Sequence, residues 1–199
     1  MTPRSAAVGA VLLAAPATAM AHLTDTGLGP VYDGIAHVLM SFDDLLPVVA
    51  LAMVAGLNGA REGRLALFTL PLGWLLGGVA GVSWGMFTPP AWAPALSLLA
   101  LGVLTAASVR LAPPLVVALS AALGLVHGSL NGAGLNDAGR DATALLGIVA
   151  TVFVVLALVG ALVVTLRKPW TRIAVRVAGS WVAAVGLLMA GWGIRAALA

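Results

Sequence analysis

The sequence predicts an all-α integral membrane protein, a six-transmembrane-helix bundle that follows a cleavable signal peptide. Hydrophobic residues make up 61% of the 199 residues and charged residues 9%, whereas about a quarter of an ordinary soluble domain is charged. A helix needs roughly 20 apolar residues to cross a bilayer, so six spans use nearly the whole chain. The chain has no cysteine, so any metal would be bound through nitrogen and oxygen atoms.

Residues 1–21 have the pattern of a secretory signal peptide. Arg4 precedes an apolar stretch over residues 6–15, and Ala-Met-Ala ends at Ala21, which is the arrangement of a signal peptidase site. We expect cleavage after Ala21, so that residues 22–199 form the six-helix domain and begin with His22. The alternative is an uncleaved first transmembrane helix.

Six apolar segments follow a Gly-Leu-Gly-Pro turn. They cover residues 42–58, 65–87, 92–112, 114–131, 141–166 and 173–197. If the mature N-terminus is exported, seven of its nine basic residues lie in the cytoplasm, as the positive-inside rule requires. Six of the seven acidic residues then face the exported side, and an acidic mouth attracts cations. We therefore expect a multi-pass protein of the bacterial inner membrane, with lipid around it and no nucleic-acid partner.

Glycine recurs at every fourth residue in the second and fourth segments. The two rows are Gly73, Gly77, Gly81 and Gly85, and Gly124, Gly128 and Gly132. Helices in lipid associate by close packing, and small residues at this spacing let two backbones approach. We expect both rows to be structural.

Three carboxylates and an imidazole lie at the mouth of the first segment, at Asp33, His37, Asp43 and Asp44. On a continuous helix, Asp33, His37 and Asp44 would share one face. Such a cluster beside a membrane predicts a cation site. The alternative is local: Ser41 and Asp44 would form a capping box, and Asp33 would cap a short preceding helix.

His127 lies near the exported end of the fourth segment, and Asn131 shares its helical face. Polar groups inside a bilayer usually face the interior of the bundle. We expect His127 to face His37 and to complete the site, the alternative being a structural histidine bonded to a neighbouring helix. A terminal His22 would offer an α-amine and an imidazole to a metal, although terminal residues are usually mobile.

One serine pattern raises the question of catalysis. Residues 81–85, Gly-Val-Ser-Trp-Gly, match the G-x-S-x-G pattern, but a nucleophile elbow needs a strand-to-helix turn. We therefore expect no enzyme. A dyad of His127 with Ser83 or Ser129, forming an intramembrane hydrolase, is the enzymatic alternative.

The segment from His37 to Asp44, His-Val-Leu-Met-Ser-Phe-Asp-Asp, resembles the first-helix motif H-P-x-x-G-x-D-H of the HupE/UreJ family. His127-Gly128 resembles the later H-G-containing helix of that family. The resemblance implies uptake of nickel, or occasionally cobalt, for the maturation of hydrogenases and ureases, with metal roles for His37, Asp43 and His127. A carboxylate at Asp44, where the motif ends in histidine, makes the ligand set harder.

The resulting prediction is an inner-membrane permease for a divalent transition metal, Ni²⁺ or Co²⁺. The ion is its substrate, no organic cofactor is expected, and nickel-enzyme maturation proteins are the expected partners. The candidate metal ligands are His37, Asp43, Asp44, His127, Asp33 and His22. The alternative is an accessory factor that binds metal, or a partner protein, without moving ions.

Overall fold

The computed structural model describes residues 25–84, 89–90 and 92–197, and over these residues the protein is built from seven α-helices without a strand. The helices are α1 (Pro30–Met40), α2 (Phe42–Asn58), α3 (Ala60–Trp84), α4 (Ala93–Ala106), α5 (Pro113–Asp137), α6 (Ala144–Thr165) and α7 (Pro169–Ala197). The predicted signal peptide, its cleavage site, His22 and Gly85 lie outside the described residues.

Four of these helices, α3, α5, α6 and α7, are long and apolar enough to cross a membrane. The pair α1 and α2 would make a fifth span, although the two helices are bent by 71° at their junction. α4 is apolar but has only 14 residues, fewer than the roughly 20 that a bilayer requires. The described residues thus form a multi-pass, all-helical membrane protein with four or five candidate spans, and the predicted count of six is not confirmed.

The break between α1 and α2 overturns two expectations about residues 33–44. Ser41 has extended backbone angles, φ −89° and ψ 101°, so the expected continuous helix is wrong. Ser41 is the N-cap residue of α2, yet its side chain makes no capping hydrogen bond, so the capping box is wrong as well. Gly29, and not Asp33, precedes the first turn of α1.

The glycine rows pack α3 against α5, as expected. A Cβ atom added at Gly128 would strike the backbone of Trp74 and Gly78, and one added at Gly132 would strike Gly78 again. Because the contacts advance in the same direction along both chains, the two helices run parallel. The close approach places the His127 end of α5 directly beside Trp74 of α3.

Charged residues separate to opposite ends of the helices. The acidic end, where α2 begins, carries Asp25, Asp33, Asp43, Asp44, Asp137, Arg140, Asp141 and Arg195. The basic end, where α2 stops, carries Arg61, Glu62, Arg64, Arg110, Arg167, Lys168, Arg172 and Arg176. At the basic end, the Arg176 Nε atom donates a hydrogen bond of 2.8 Å to the Ala106 carbonyl, which satisfies the C-terminus of α4.

Candidate metal centre

Asp44 lies at the centre of a cluster built from α1, α2 and α5. Its Oδ2 atom is 3.2 Å from Nε2 of His37, and its Oδ1 atom is 3.0 Å from Nδ1 of His127. The three residues are 4%, 6% and 1% exposed. The structure therefore brings together three of the six candidate ligands, one from each of three helices, in a buried position.

Two packing features place these side chains. The bend at Ser41 turns the start of α2 so that the Asp44 carboxylate reaches back to His37. α1 in turn lies close to α6, since a Cβ atom at Gly34 or Gly147 would strike the backbone of the other helix. His37 is thus held by a backbone-to-backbone contact, as is His127 on the opposite side of the carboxylate.

Asn131 and Trp74 orient the carboxylate. The Asn131 Nδ2 atom donates a hydrogen bond of 2.9 Å to Oδ2 of Asp44, and its Oδ1 atom accepts one of 2.9 Å from Nε1 of Trp74. Trp74 is fully buried, and its ring lies 5.3 Å from the His127 ring, centroid to centroid. The sequence indicated the shared face of His127 and Asn131, whereas it did not single out Trp74, which follows Gly73 of the first glycine row.

Ser97 and Ser41 contact the outward nitrogens of the two imidazoles. Oγ of Ser97 is 3.1 Å from Nε2 of His127, and Oγ of Ser41 is 3.4 Å from Nδ1 of His37. Throughout the described part of the chain, every buried side-chain nitrogen and oxygen has a hydrogen-bond partner. The sequence did not indicate Ser97, because a single serine in an apolar helix carries no pattern.

Two other described candidates, Asp33 and Asp43, form no hydrogen bond or ion pair with this cluster. Asp33 is buried, but its Oδ1 atom accepts hydrogen bonds of 2.7 and 2.6 Å from the backbone and side chain of Thr26, and its Oδ2 atom is 3.8 Å from Arg140. Asp43 is exposed at the same mouth and is not among the hydrogen-bond partners of Asp44. Asp33 and His37 lie one turn apart in α1, but the bend at Ser41 separates that helix from Asp44, so the expected single face with all three residues is wrong.

The serines of the hydrolase alternative are not partners of His127. Ser129 donates a hydrogen bond of 2.6 Å to the Leu125 carbonyl of its own helix, and Ser83 is exposed. Neither supports a nucleophile and base pair.

Two imidazoles and one carboxylate form a donor set that transition metals accept. Bonds of about 2.0–2.2 Å from a metal to such donors leave neighbouring ligand atoms roughly 3 Å apart, and the two contacts of Asp44 have this length. Within residues 25–84, 89–90 and 92–197, however, no group of three or more His, Cys, Asp or Glu is placed so that it could hold a metal as it stands. A cation bound here would replace the direct contacts between the imidazoles and the carboxylate.

Comparison with known families gives one match. The family described as HupE / UreJ protein matches residues 10–189, while no curated protein and no solved structure matches significantly. HupE/UreJ proteins are associated with accessory or transport roles for nickel and cobalt, and they are not a family of catalytic enzymes. Because the family matches most of the chain and the described residues form an apolar helical fold, this protein belongs to the HupE/UreJ family.

Proposed function

We propose that the protein is a permease that takes a divalent transition metal, Ni²⁺ in the first place and otherwise Co²⁺, across the bacterial inner membrane as its substrate. The observation that carries the proposal is the buried cluster of His37, Asp44 and His127. Ionisable groups inside a membrane protein are costly, and where they occur they commonly mark an ion pathway. The imported metal would supply the maturation of a nickel enzyme such as hydrogenase or urease.

The cluster is a better candidate for handling a cation than for stabilising the bundle. Apolar side chains of similar size usually stabilise a core as well as, or better than, buried charges do. Here one carboxylate contacts two imidazoles through opposite oxygens, and Asn131 and Trp74 fix its orientation. Such a support around ligand side chains is what a metal-handling site requires.

The charge separation of the fold supports a direction of transport. With the basic end in the cytoplasm, the positive-inside rule is obeyed, and the acidic end would concentrate cations at the exported mouth. The membrane potential then favours inward movement by about 2.3 kcal/mol per charge for each 100 mV. The cluster lies toward the acidic end, where an incoming ion would first meet buried donors.

Nickel uptake tests the proposal. We would measure the accumulation of radioactive Ni²⁺ in cells that lack other nickel importers and that express the wild-type protein, Asp44→Asn or Asp43→Asn. We expect accumulation with the wild-type protein, loss with Asp44→Asn, and largely retained uptake with Asp43→Asn, whose carboxylate lies outside the cluster. No gain with the wild-type protein at any nickel concentration would sink the import proposal.

The second candidate is an accessory factor that binds metal without moving it. It is favoured by one observation: the donors are joined by hydrogen bonds and are not arranged, as they stand, around an ion. Reconstitution in liposomes that contain a metal-sensing dye separates the two functions. A permease brings Ni²⁺ to the internal dye, whereas an accessory factor binds Ni²⁺ and leaves the internal signal unchanged.

A further inference from the structure

We propose that Ser97 is a positioning residue that sets which nitrogen of His127 carries the proton, and thereby presents Nδ1 of that histidine to the cation. The inference deepens the proposed function and rests on it. Ser97 lies in α4 and belongs to none of the three helices that carry His37, Asp44 and His127. It is 30 residues from His127 in sequence and joins α4 to the cluster through one hydrogen bond.

His127 is enclosed between two oxygen atoms. Nδ1 is 3.0 Å from Oδ1 of Asp44, and Nε2 is 3.1 Å from Oγ of Ser97. The residue is 1% exposed, so both ring nitrogens find their partners within the protein. A neutral imidazole has one N–H and one lone pair, and the two oxygens therefore decide where its proton lies.

The hydroxyl of Ser97 has two acceptors and only one proton. Oγ is 2.7 Å from the Pro94 carbonyl, which has no proton to give, and 3.1 Å from His127 Nε2. If the hydroxyl donates to Nε2, then Nδ1 carries the proton and donates it to Asp44. If the hydroxyl donates to the Pro94 carbonyl, Oγ accepts from Nε2–H, and the Nδ1 lone pair faces the Asp44 carboxylate.

The site without metal favours one of these two arrangements, and the site with metal favours the other. Without metal, a lone pair that faces a carboxylate oxygen is repelled, so the Nδ1–H form is favoured. With a cation between Nδ1 and the Asp44 carboxylate, both become ligands and the proton must lie on Nε2, where Ser97 accepts it. As the cation enters, the Nδ1 proton passes to solvent water and Nε2 takes up one proton from solvent water, so no net proton is released and the charge of the imidazole is unchanged. The Ser97 hydroxyl keeps its own proton and rotates toward the Pro94 carbonyl.

Ser97 thus plays the part of the outer hydrogen-bond partner that fixes the tautomer of a metal-binding histidine. Ser41 makes a longer contact of the same kind, since its Oγ atom lies 3.4 Å from Nδ1 of His37. Ser129 offers a matched control, because it lies two residues from His127 in α5 but donates to the Leu125 carbonyl. Removal of the Ser129 hydroxyl should therefore not change the His127 tautomer.

The experiment uses the full-length protein with ¹⁵N-labelled histidine, purified in detergent. The chain has three histidines, and comparison with His127→Gln assigns the His127 signals. We would record the ring ¹⁵N shifts of the wild type, Ser97→Ala, Ser97→Thr and Ser129→Ala, without metal and with Zn²⁺ as the diamagnetic probe. Calorimetric titration with Ni²⁺ gives the affinities of the same four proteins.

We expect His127 to carry its proton on Nδ1 without metal and on Nε2 with Zn²⁺ in the wild type and in Ser129→Ala. Ser97→Ala should show mixed tautomers and bind Ni²⁺ about 10-fold more weakly, a typical loss for an outer-shell partner. Ser97→Thr keeps the hydroxyl and should restore both readouts.

If Ser97→Ala had the same His127 tautomers and the same Ni²⁺ affinity as the wild type, the inference would be overturned. Equal losses in Ser97→Ala and Ser97→Thr would also overturn it, because those would show that Ser97 acts through packing alone. If the wild type binds neither ion, the proposed function fails, and the metal-free tautomers still decide whether Ser97 controls His127.

Discussion

At the scale of single residues, Asp44 is the central residue of the cluster. Its Oδ2 atom accepts a hydrogen bond from Asn131, its two oxygens lie 3.2 and 3.0 Å from nitrogens of His37 and His127, and the residue is 4% exposed. It stands where the family motif has histidine, so the cluster has one carboxylate in place of a third imidazole. Its neighbour Asp43 has the same side chain but is exposed, which makes the pair a natural comparison.

Asp44→Asn should weaken both the fold and metal binding. The amide would keep one acceptor, but its NH₂ group would face a donor, and the site would lose its negative charge. We expect the free energy of unfolding to fall by about 1–3 kcal/mol and the Ni²⁺ affinity to fall at least 10-fold, by thermal unfolding and calorimetry in detergent. Asp43→Asn should change neither quantity appreciably.

Asp44→His completes the comparison, because a third imidazole is a softer donor than a carboxylate and should raise the preference for Ni²⁺ over Mn²⁺. Equal Ni²⁺ affinities in the wild type, Asp44→Asn and Asp44→His would show that the cluster is structural and that the metal site lies elsewhere.

At the scale of helices, the contact between α3 and α5 places His127. Gly128 is the next residue, and a Cβ atom there would strike the backbone of Trp74 and Gly78. Gly134 lies in the same helix, and a Cβ atom there would meet nothing within 4 Å. The two glycines therefore separate the effect of helix packing from that of glycine itself.

Gly128→Ala should push α5 away from α3. We expect a destabilisation of about 1–3 kcal/mol, the usual cost of overpacking, together with weaker Ni²⁺ binding because His127 moves with its helix. Gly134→Ala should be neutral or stabilising by up to about 1 kcal/mol, since alanine is the better helix former. The measurements are thermal unfolding and nickel titration of both variants.

Equal stability of the two alanine variants would contradict the close approach of α3 and α5 at Gly128. A loss of stability with unchanged nickel binding would show that His127 does not depend on this contact.

At the scale of the whole molecule, the separation of charge predicts how the protein crosses the membrane. The chain has no cysteine, so single cysteines can be introduced without background labelling. Ala142 lies at the acidic end and Lys168 at the basic end, and both are exposed. A membrane-impermeant maleimide should label Ala142→Cys in cells whose outer membrane alone is permeabilised, and Lys168→Cys only after lysis. The reverse labelling pattern would show that the protein has the opposite orientation, and it would contradict the proposed direction of transport.

Local pattern and composition predicted much of the fold. Each of the six apolar segments has a helix, and the glycine rows pack as expected. The predicted count of six spans is not confirmed, because the chain leaves the helix after Ala106, with Ser108 at φ 52°, so α4 is shorter than its predicted segment. Hydropathy measures the transfer of side chains into lipid, and it does not show where an apolar chain turns.

The sequence by itself determined that the chain is an apolar helical membrane protein with opposite charges at its two ends, because these properties sum over residues wherever they lie. It also singled out His37 and His127. Only the tertiary structure decided that Asp44, and neither Asp33 nor Asp43, joins them, and that Trp74 and Ser97 support the cluster. Those choices depend on a 71° bend at Ser41 and on backbone contact between α3 and α5. Spacing along a continuous helix does not show the bend, and the glycine spacing predicts close packing without showing that the two rows face each other.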